Sequence, residues 1–124
     1  MIRSGPSRTG SNAPPRSAPE PAERDGAHSH GVFRLKGYLG SLDSGWVDGR
    51  AEPMLEEVAP GMLRADGCNG FSLPVLALAA PSLMEKARAN GIAVLAIRKA
   101  HHFSAVWPDL EPFARAGFLG LAMI

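Results

Sequence analysis

Within Asp25-Gly26-Ala27-His28-Ser29-His30-Gly31-Val32-Phe33-Arg34-Leu35-Lys36-Gly37-Tyr38, a hydroxyl, an imidazole and a guanidinium share one short window. His30 titrates near neutral pH and can give up a proton, whereas Arg34 stays charged and can grip a carboxylate through two parallel hydrogen bonds. Such a pairing suits proton donation to a small 2-oxo or 2-imino acid held by its carboxylate. The same residue types also have plainer uses, since serine often caps a helix and a surface arginine is usually solvated.

A helix beginning at His30 and capped by Ser29 would put these groups in register. His30, Arg34 and Tyr38 follow one another at four-residue steps and would stack along one side. Val32, Leu35, Leu39 and Leu42 recur at three- and four-residue steps and predict a buried stripe. Asp43-Ser44-Gly45 predicts the stop, with Gly45 left-handed. Trp46 to Pro53 then forms a connecting loop.

With 124 residues the chain makes one domain at most, able to bury roughly 60–70 % of its unfolded surface. Its 13 Lys and Arg nearly balance 12 Asp and Glu, and no basic run points to nucleic acid or to an anionic membrane. A single cysteine, Cys68, excludes an internal disulfide and fits a reducing cytoplasm. No apolar run is long enough to span a bilayer, and the N-terminus has no signal-peptide core. Met1 to about Ala22 is built from Ser, Pro, Gly, Ala and Arg, a composition too poor in large apolar groups to offset its ordering entropy. The expected organisation is a disordered tail over 1–22, a helix and loop over 23–53 carrying the substrate-side residues, and a hairpin, helix and sheet over 54–124.

In that last part, Glu56–Ala59 and Met62–Ala65 predict a hairpin around a type II turn at Pro60-Gly61. Asp66 to Phe71 is turn-rich, and Cys68 in it has no basic neighbour in sequence to activate it. Ser72 to Asn90 predicts a helix stopped by Gly91, with Leu73, Leu76, Ala80, Leu83, Met84 and Ala87 on its apolar face and Glu85, Lys86 and Arg88 away from it. Pro74 suits the first turn, while Pro81 should kink or divide the helix near Ala80. Ile92 to Ile97 predicts a strand covered on both faces, followed by a polar loop from Arg98 to His102. Pro108 to Ala116 predicts a short helix stopped by Gly117, and Leu119 to Ile124 another strand. This order of strand, loop, helix and strand sets His101 and His102 at a strand's carboxyl end, where open α/β sheets commonly bind ligands. No G-x-G-x-x-G fingerprint is present.

Two blocks together resemble one family. Arg24-Asp25-Gly26 through Ser29-His30-Gly31, with Phe33-Arg34-Leu35 and Gly37-Tyr38, resembles the signature segment of the malate/L-lactate dehydrogenase-like oxidoreductases. Gly91 to Arg98, followed by His101-His102-Phe103-Ser104-Ala105-Val106-Trp107-Pro108-Asp109, resembles that family's dinucleotide-contacting loop. The likeness runs from about Glu23 to Ile124 and leans toward the Δ1-piperideine-2-carboxylate/Δ1-pyrroline-2-carboxylate reductases.

The resemblance implies an α/β fold (α+β mixed), specifically the N-terminal portion of a mixed-sheet NAD(P)-binding architecture that is not Rossmann. It implies Ser29 as charge-relay partner, His30 as proton donor, Arg34 as anchor for the substrate carboxylate, and His102, Phe103, Ser104, Ala105 and Val106 as contacts to NADPH or NADH. It further implies a small imino or oxo acid as substrate, a homodimer in the full-length form, and no metal. The chain departs from the family at its N-terminal tail and at Lys99-Ala100, where Asn/Ser-type residues are usual. Two readings from other classes remain. One is a non-catalytic remnant that survives by pairing with another chain. The other is a small metal-binding module using His28, His30, His101 and His102.

Overall fold

The computed structural model describes residues 24–103 and 105–124. The expected tail over 1–22 and the expected contact Ser104 lie outside the described residues.

Two short 3-10 turns, His28–His30 and Val32–Arg34, lead into helix α1, Leu35–Asp43. Strands β1 (Met54–Ala59) and β2 (Met62–Phe71) follow, then helix α2 (Ser72–Asn90), strand β3 (Val94–His101) and helix α3 (Trp107–Arg115). The three strands form one mixed sheet in the order β1-β2-β3, with β1 antiparallel and β3 parallel to β2. The parallel pair requires the crossover that α2 supplies, and α2 lies against β2 and β3. Leu63 and Ala65 of β2, two residues apart, are buried together with Val75 and Ala79 of α2, which are four apart. Strand and helix periodicities thus meet in one small core.

Helix α2 has the expected bounds, and Gly91 after it takes φ +77°. It also runs through Pro81 undivided. Pro81 and Ala77 both lie on the exposed side, where the carbonyl that proline leaves without its helical partner can bond to water. The buried centre of α2 is Val75 and Ala79, with the expected apolar positions half-buried around it. Lys86 does not point away: its ammonium pairs with Glu57 at 2.7 Å and donates to the Pro60 carbonyl at 3.1 Å. The end of α2 is thereby tied to the β1–β2 turn. That turn is not type II, because Gly61 does not adopt the positive φ which type II requires. The register instead shifts between Glu57 and Ala59, a bulge that adds local twist.

Three further expectations are corrected. Val32, Leu35, Leu39 and Leu42 are spaced as a stripe but are 36–60 % exposed, since no described element covers them. Strand β3 is not covered on both faces among the described residues: α2 packs against it, yet Val94 and Ile97 remain exposed. It also extends through Arg98–His101, where a loop was expected. Finally, 118–124 forms no strand, and Leu119, Leu121, Met123 and Ile124 are at least 84 % exposed, because a strand exists only where a ladder partner takes its backbone groups.

The turn-rich stretch after Asp66 is a break in the β2–β3 ladder. Pairing stops at Asp66↔Arg98 and resumes at Gly70↔Ala100, and Cys68, Asn69 and Lys99 all take positive φ. Gly67 is required here by proximity: a Cβ would stand 2.6 Å from the Ala100 Cβ and 2.7 Å from the Lys99 carbonyl oxygen. Gly67→Ala must push the two strands apart, so we expect a loss of about 1–3 kcal/mol, or a fall in Tm of about 4 °C or more, in thermal unfolding followed by circular dichroism.

Asp66 is buried at the same break and accepts the Cys68 backbone N–H at 2.9 Å, with Arg98 at 3.1 Å and Lys99 at 3.5 Å from its carboxylate. The Cys68 N–H, helped by the charges of Lys99 and Arg98, holds this carboxyl below the ordinary carboxylate range against the opposing effect of burial. A carboxyl depressed on folding adds stability above its unfolded pKa of about 3.9, and that stability is lost as pH falls through the folded value. Urea midpoints measured at decreasing pH should therefore drop below about pH 4 in the parent, and drop less steeply in Asp66→Asn.

Candidate active site

Ser29 is the hub of the N-terminal segment. Its hydroxyl is 3.0 Å from His30 Nδ1, and its carbonyl accepts a hydrogen bond from Arg34 Nε at 2.9 Å. Ser29 is therefore not a helix cap, for no side-chain cap bond is made at either 3-10 turn or at α1. Gly31, at φ −90° and ψ −141°, breaks the run that a helix from His30 would need. Imidazole and guanidinium are not aligned on one helix face; each is bonded to a different polar group of the same serine.

The second block forms the approach to α3. His102 Nε2 is 2.8 Å from Asp109 Oδ2, and both side chains are largely buried. Phe103 sits among Tyr38, Phe71 and His101, at ring-centroid distances of 5.3, 6.0 and 6.4 Å. Ala105 is buried and Val106 is half-buried just before α3. His101 is half-buried, with Nε2 2.9 Å from Asn69 Oδ1, and Asn69 in turn donates to the Trp46 carbonyl at 3.0 Å. The left-handed turn at Cys68-Asn69 thus supports the loop from below.

The two blocks meet. The Trp107 ring lies 6.5 Å from the His30 ring, and the Tyr38 ring packs on Phe103. Tyr38 is also the third member of the predicted row, and here it links α1 to the loop. Burial pushes its phenol pKa up, Asp109 adds to the rise, and the Arg34 charge opposes it. Arg34 and Asp109 thus both act electrostatically on the Tyr38 phenol. The segment carrying His30 and Arg34 thus packs against the loop through Trp107 and Tyr38, which sequence spacing alone could not show.

Trp107, Asp109 and Asp25 are functional neighbours to which sequence reasoning assigns no role. The His102–Asp109 pairing, seven residues apart, had a weak signal in a histidine followed by an acid at a helix start. The Trp107–Asp25 hydrogen bond, 82 residues apart in sequence, had none. As for the metal alternative, no group of three or more His, Cys, Asp or Glu among the described residues is placed to hold an ion. His30, His101 and His102 instead engage Ser29, Asn69 and Asp109.

A profile of the malate/L-lactate dehydrogenase family matches residues 21–124. The chain belongs to that family. It is 57 % identical over 103 residues to the Δ1-pyrroline-2-carboxylate/Δ1-piperideine-2-carboxylate reductase of Pseudomonas syringae pv. tomato, covering 83 % of this chain and 30 % of that protein. The reductase of the same description from Pseudomonas aeruginosa is 46 % identical over 100 residues, covering 81 % of this chain and 30 % of that one. Among solved structures, the crystal structure of the Pseudomonas syringae Δ1-piperideine-2-carboxylate reductase superposes with a TM-score of 0.79 at 57 % identity, over 81 % of this chain and 30 % of that one. Malate dehydrogenase from Pyrococcus horikoshii superposes at 0.73 with 26 % identity, over 81 % and 29 %. The chain thus spans under a third of the length of the relatives it matches. The family is one of oxidoreductases, and the mixed sheet observed here is shared with its solved members. No described helix is long and apolar enough to cross a membrane.

Proposed function

We propose that this chain is the segment of an NAD(P)H-dependent reductase that carries the proton donor and the carboxylate anchor, acting on a small cyclic imino acid such as Δ1-piperideine-2-carboxylate or Δ1-pyrroline-2-carboxylate, or on a 2-oxo acid. The observation that carries this reading is Ser29, which engages the His30 ring through its hydroxyl and fixes Arg34 through its carbonyl. With Nδ1 engaged by Ser29, Nε2 is the nitrogen that delivers the proton to the substrate atom gaining electron density. Arg34 holds the substrate carboxylate so that the reacting carbon and His30 stay in register.

The second block fits a nicotinamide dinucleotide by the chemistry of its groups. Phe103 offers an aromatic face for an apolar ring, His102 is held in place by Asp109, and Ala105 and Val106 lead the backbone into the N-terminus of α3. His102, Phe103, Ser104, Ala105 and Val106 would hold the dinucleotide, which when bound supplies a hydride. NADPH and NADH both suit these groups. A homodimer completes the proposal, together with a cytoplasmic setting, which the single cysteine suits.

The test is a chimera in which the matching segment of this chain replaces its counterpart in the Pseudomonas syringae reductase. Oxidation of NADPH that depends on Δ1-piperideine-2-carboxylate is the expected result. A folded chimera that neither binds NADPH nor reduces an imino or oxo acid would overturn the reading in favour of a non-catalytic segment.

A further inference from the structure

Trp107 opens α3, and its indole N–H donates to Asp25 Oδ2 at 3.1 Å. Asp25 is gripped in turn by the Arg24 guanidinium, Nε to Oδ1 at 2.8 Å and Nη2 to Oδ2 at 3.0 Å. The same guanidinium reaches Glu111 on α3 at 2.8 Å, and Arg115 holds the other oxygen of Glu111 at 2.9 Å. The segment just before Ser29 is therefore fastened to α3 twice, once through the indole and once through an ion pair.

The two fastenings are not equivalent. The Arg24–Glu111 pair is partly exposed and joins two long, flexible side chains, so solvent screens it and it holds no single geometry. The indole, by contrast, has only two side-chain torsions, so anchoring its N–H sets the plane its ring presents. That ring stands 6.5 Å from the His30 ring at an interplanar angle of 59°, within the range of tilted aromatic contacts. The Arg24 guanidinium and the indole N–H hold the Asp25 carboxyl below the ordinary carboxylate range. His30 is thus approached from two directions, by the Ser29 hydroxyl at Nδ1 and by the indole against the ring.

We infer that Trp107 is a positioning residue for His30, aimed by Asp25. The inference rests on His30 as the proton donor proposed above. It adds that the imidazole is held in plane by an indole from the far end of the chain, and that the Asp25 carboxylate, not the neighbouring ion pair, sets its angle. The placement also couples the proton donor to the loop, because the residue that touches His30 directly follows Val106.

The test uses the full chain carrying Trp46→Phe, so that Trp107 is the single indole, and reads the indole N–H resonance together with ring-to-ring cross-relaxation between Trp107 and His30. Asp25→Ala should shift the indole resonance and weaken the cross-relaxation severalfold while the far-ultraviolet circular dichroism stays unchanged. Asp25→Asn, which keeps an oxygen acceptor, and Glu111→Gln, which removes only the ion pair, should both retain it. Equal loss in Glu111→Gln, or undiminished cross-relaxation in Asp25→Ala, would overturn the inference. Were Asp25→Ala to unfold the chain, the Asn and Gln variants would still decide, since loss of the contact in either contradicts it. In the chimera, Asp25→Ala should lower kcat by about tenfold to a hundredfold with KM changed by about twofold or less. If His30→Ala leaves turnover intact there, the proton-donor reading falls while the resonance measurement still decides whether Asp25 aims the indole.

Discussion

Replacing His30 by alanine in the chimera lowers kcat by about 10²–10⁴-fold while the dissociation constant for NADPH stays nearly the same. The expectation follows from where His30 sits. It belongs to the N-terminal segment, bonded to Ser29, and none of its described contacts is with His102 or Phe103. Removing the imidazole deletes the proton source but leaves the loop's own supports, Asp109 for His102 and Tyr38 and Phe71 for Phe103. Ser29→Ala should cost less than His30→Ala, because a serine that orients a donor is less necessary than the donor. Steady-state rates and fluorescence binding of NADPH separate these effects. An unchanged rate in His30→Ala removes it from the mechanism.

Replacing Arg34 by alanine should fall mainly on substrate binding. A hydrogen bond to a charged partner contributes about 1.5–3 kcal/mol, so losing even one of the two should raise KM for the imino acid by roughly 10- to 150-fold, and losing both by more. Arg34→Lys should recover little of this, since an ammonium cannot offer the planar fork that matches a carboxylate. Nε of Arg34 is already committed to the Ser29 carbonyl at 2.9 Å, which leaves the terminal nitrogens to grip a carboxylate. A lysine in its place would lose that tether as well. A substrate analogue without the carboxylate is the control: its reduction should be insensitive to both substitutions, and equal losses for both substrates would remove Arg34 as the anchor.

How much of this was legible beforehand differs by element. Helix α2 was readable to its bounds because glycine at its end can turn left-handed and apolar spacing fills its length, both local properties. Gly45 and Gly117, at φ +72° and +86°, were readable for the same reason. The segment around Ser29 was not, although all its residues were singled out. Helix periodicity suggested one continuous helix, whereas Gly31 breaks it and the serine hydroxyl bonds to the adjacent imidazole in place of a backbone N–H. Side-chain bonds of serine compete with capping by small energies, and sequence spacing does not register that competition.

By itself the sequence determined the mixed α/β order of elements, the glycine stops, and the presence of Ser29, His30, Arg34 and the His102 to Val106 block, because each depends on residue type and near-neighbour spacing. Only the tertiary structure decided that Trp107 meets His30, that Asp109 holds His102, that Tyr38 packs on Phe103, and that a stripe with perfect helical spacing stays exposed. Those outcomes depend on which surfaces the parallel β2–β3 pairing and the α2 crossover bring face to face. A contact between residues 82 apart in sequence, such as Asp25 with Trp107, leaves no periodic trace in either segment.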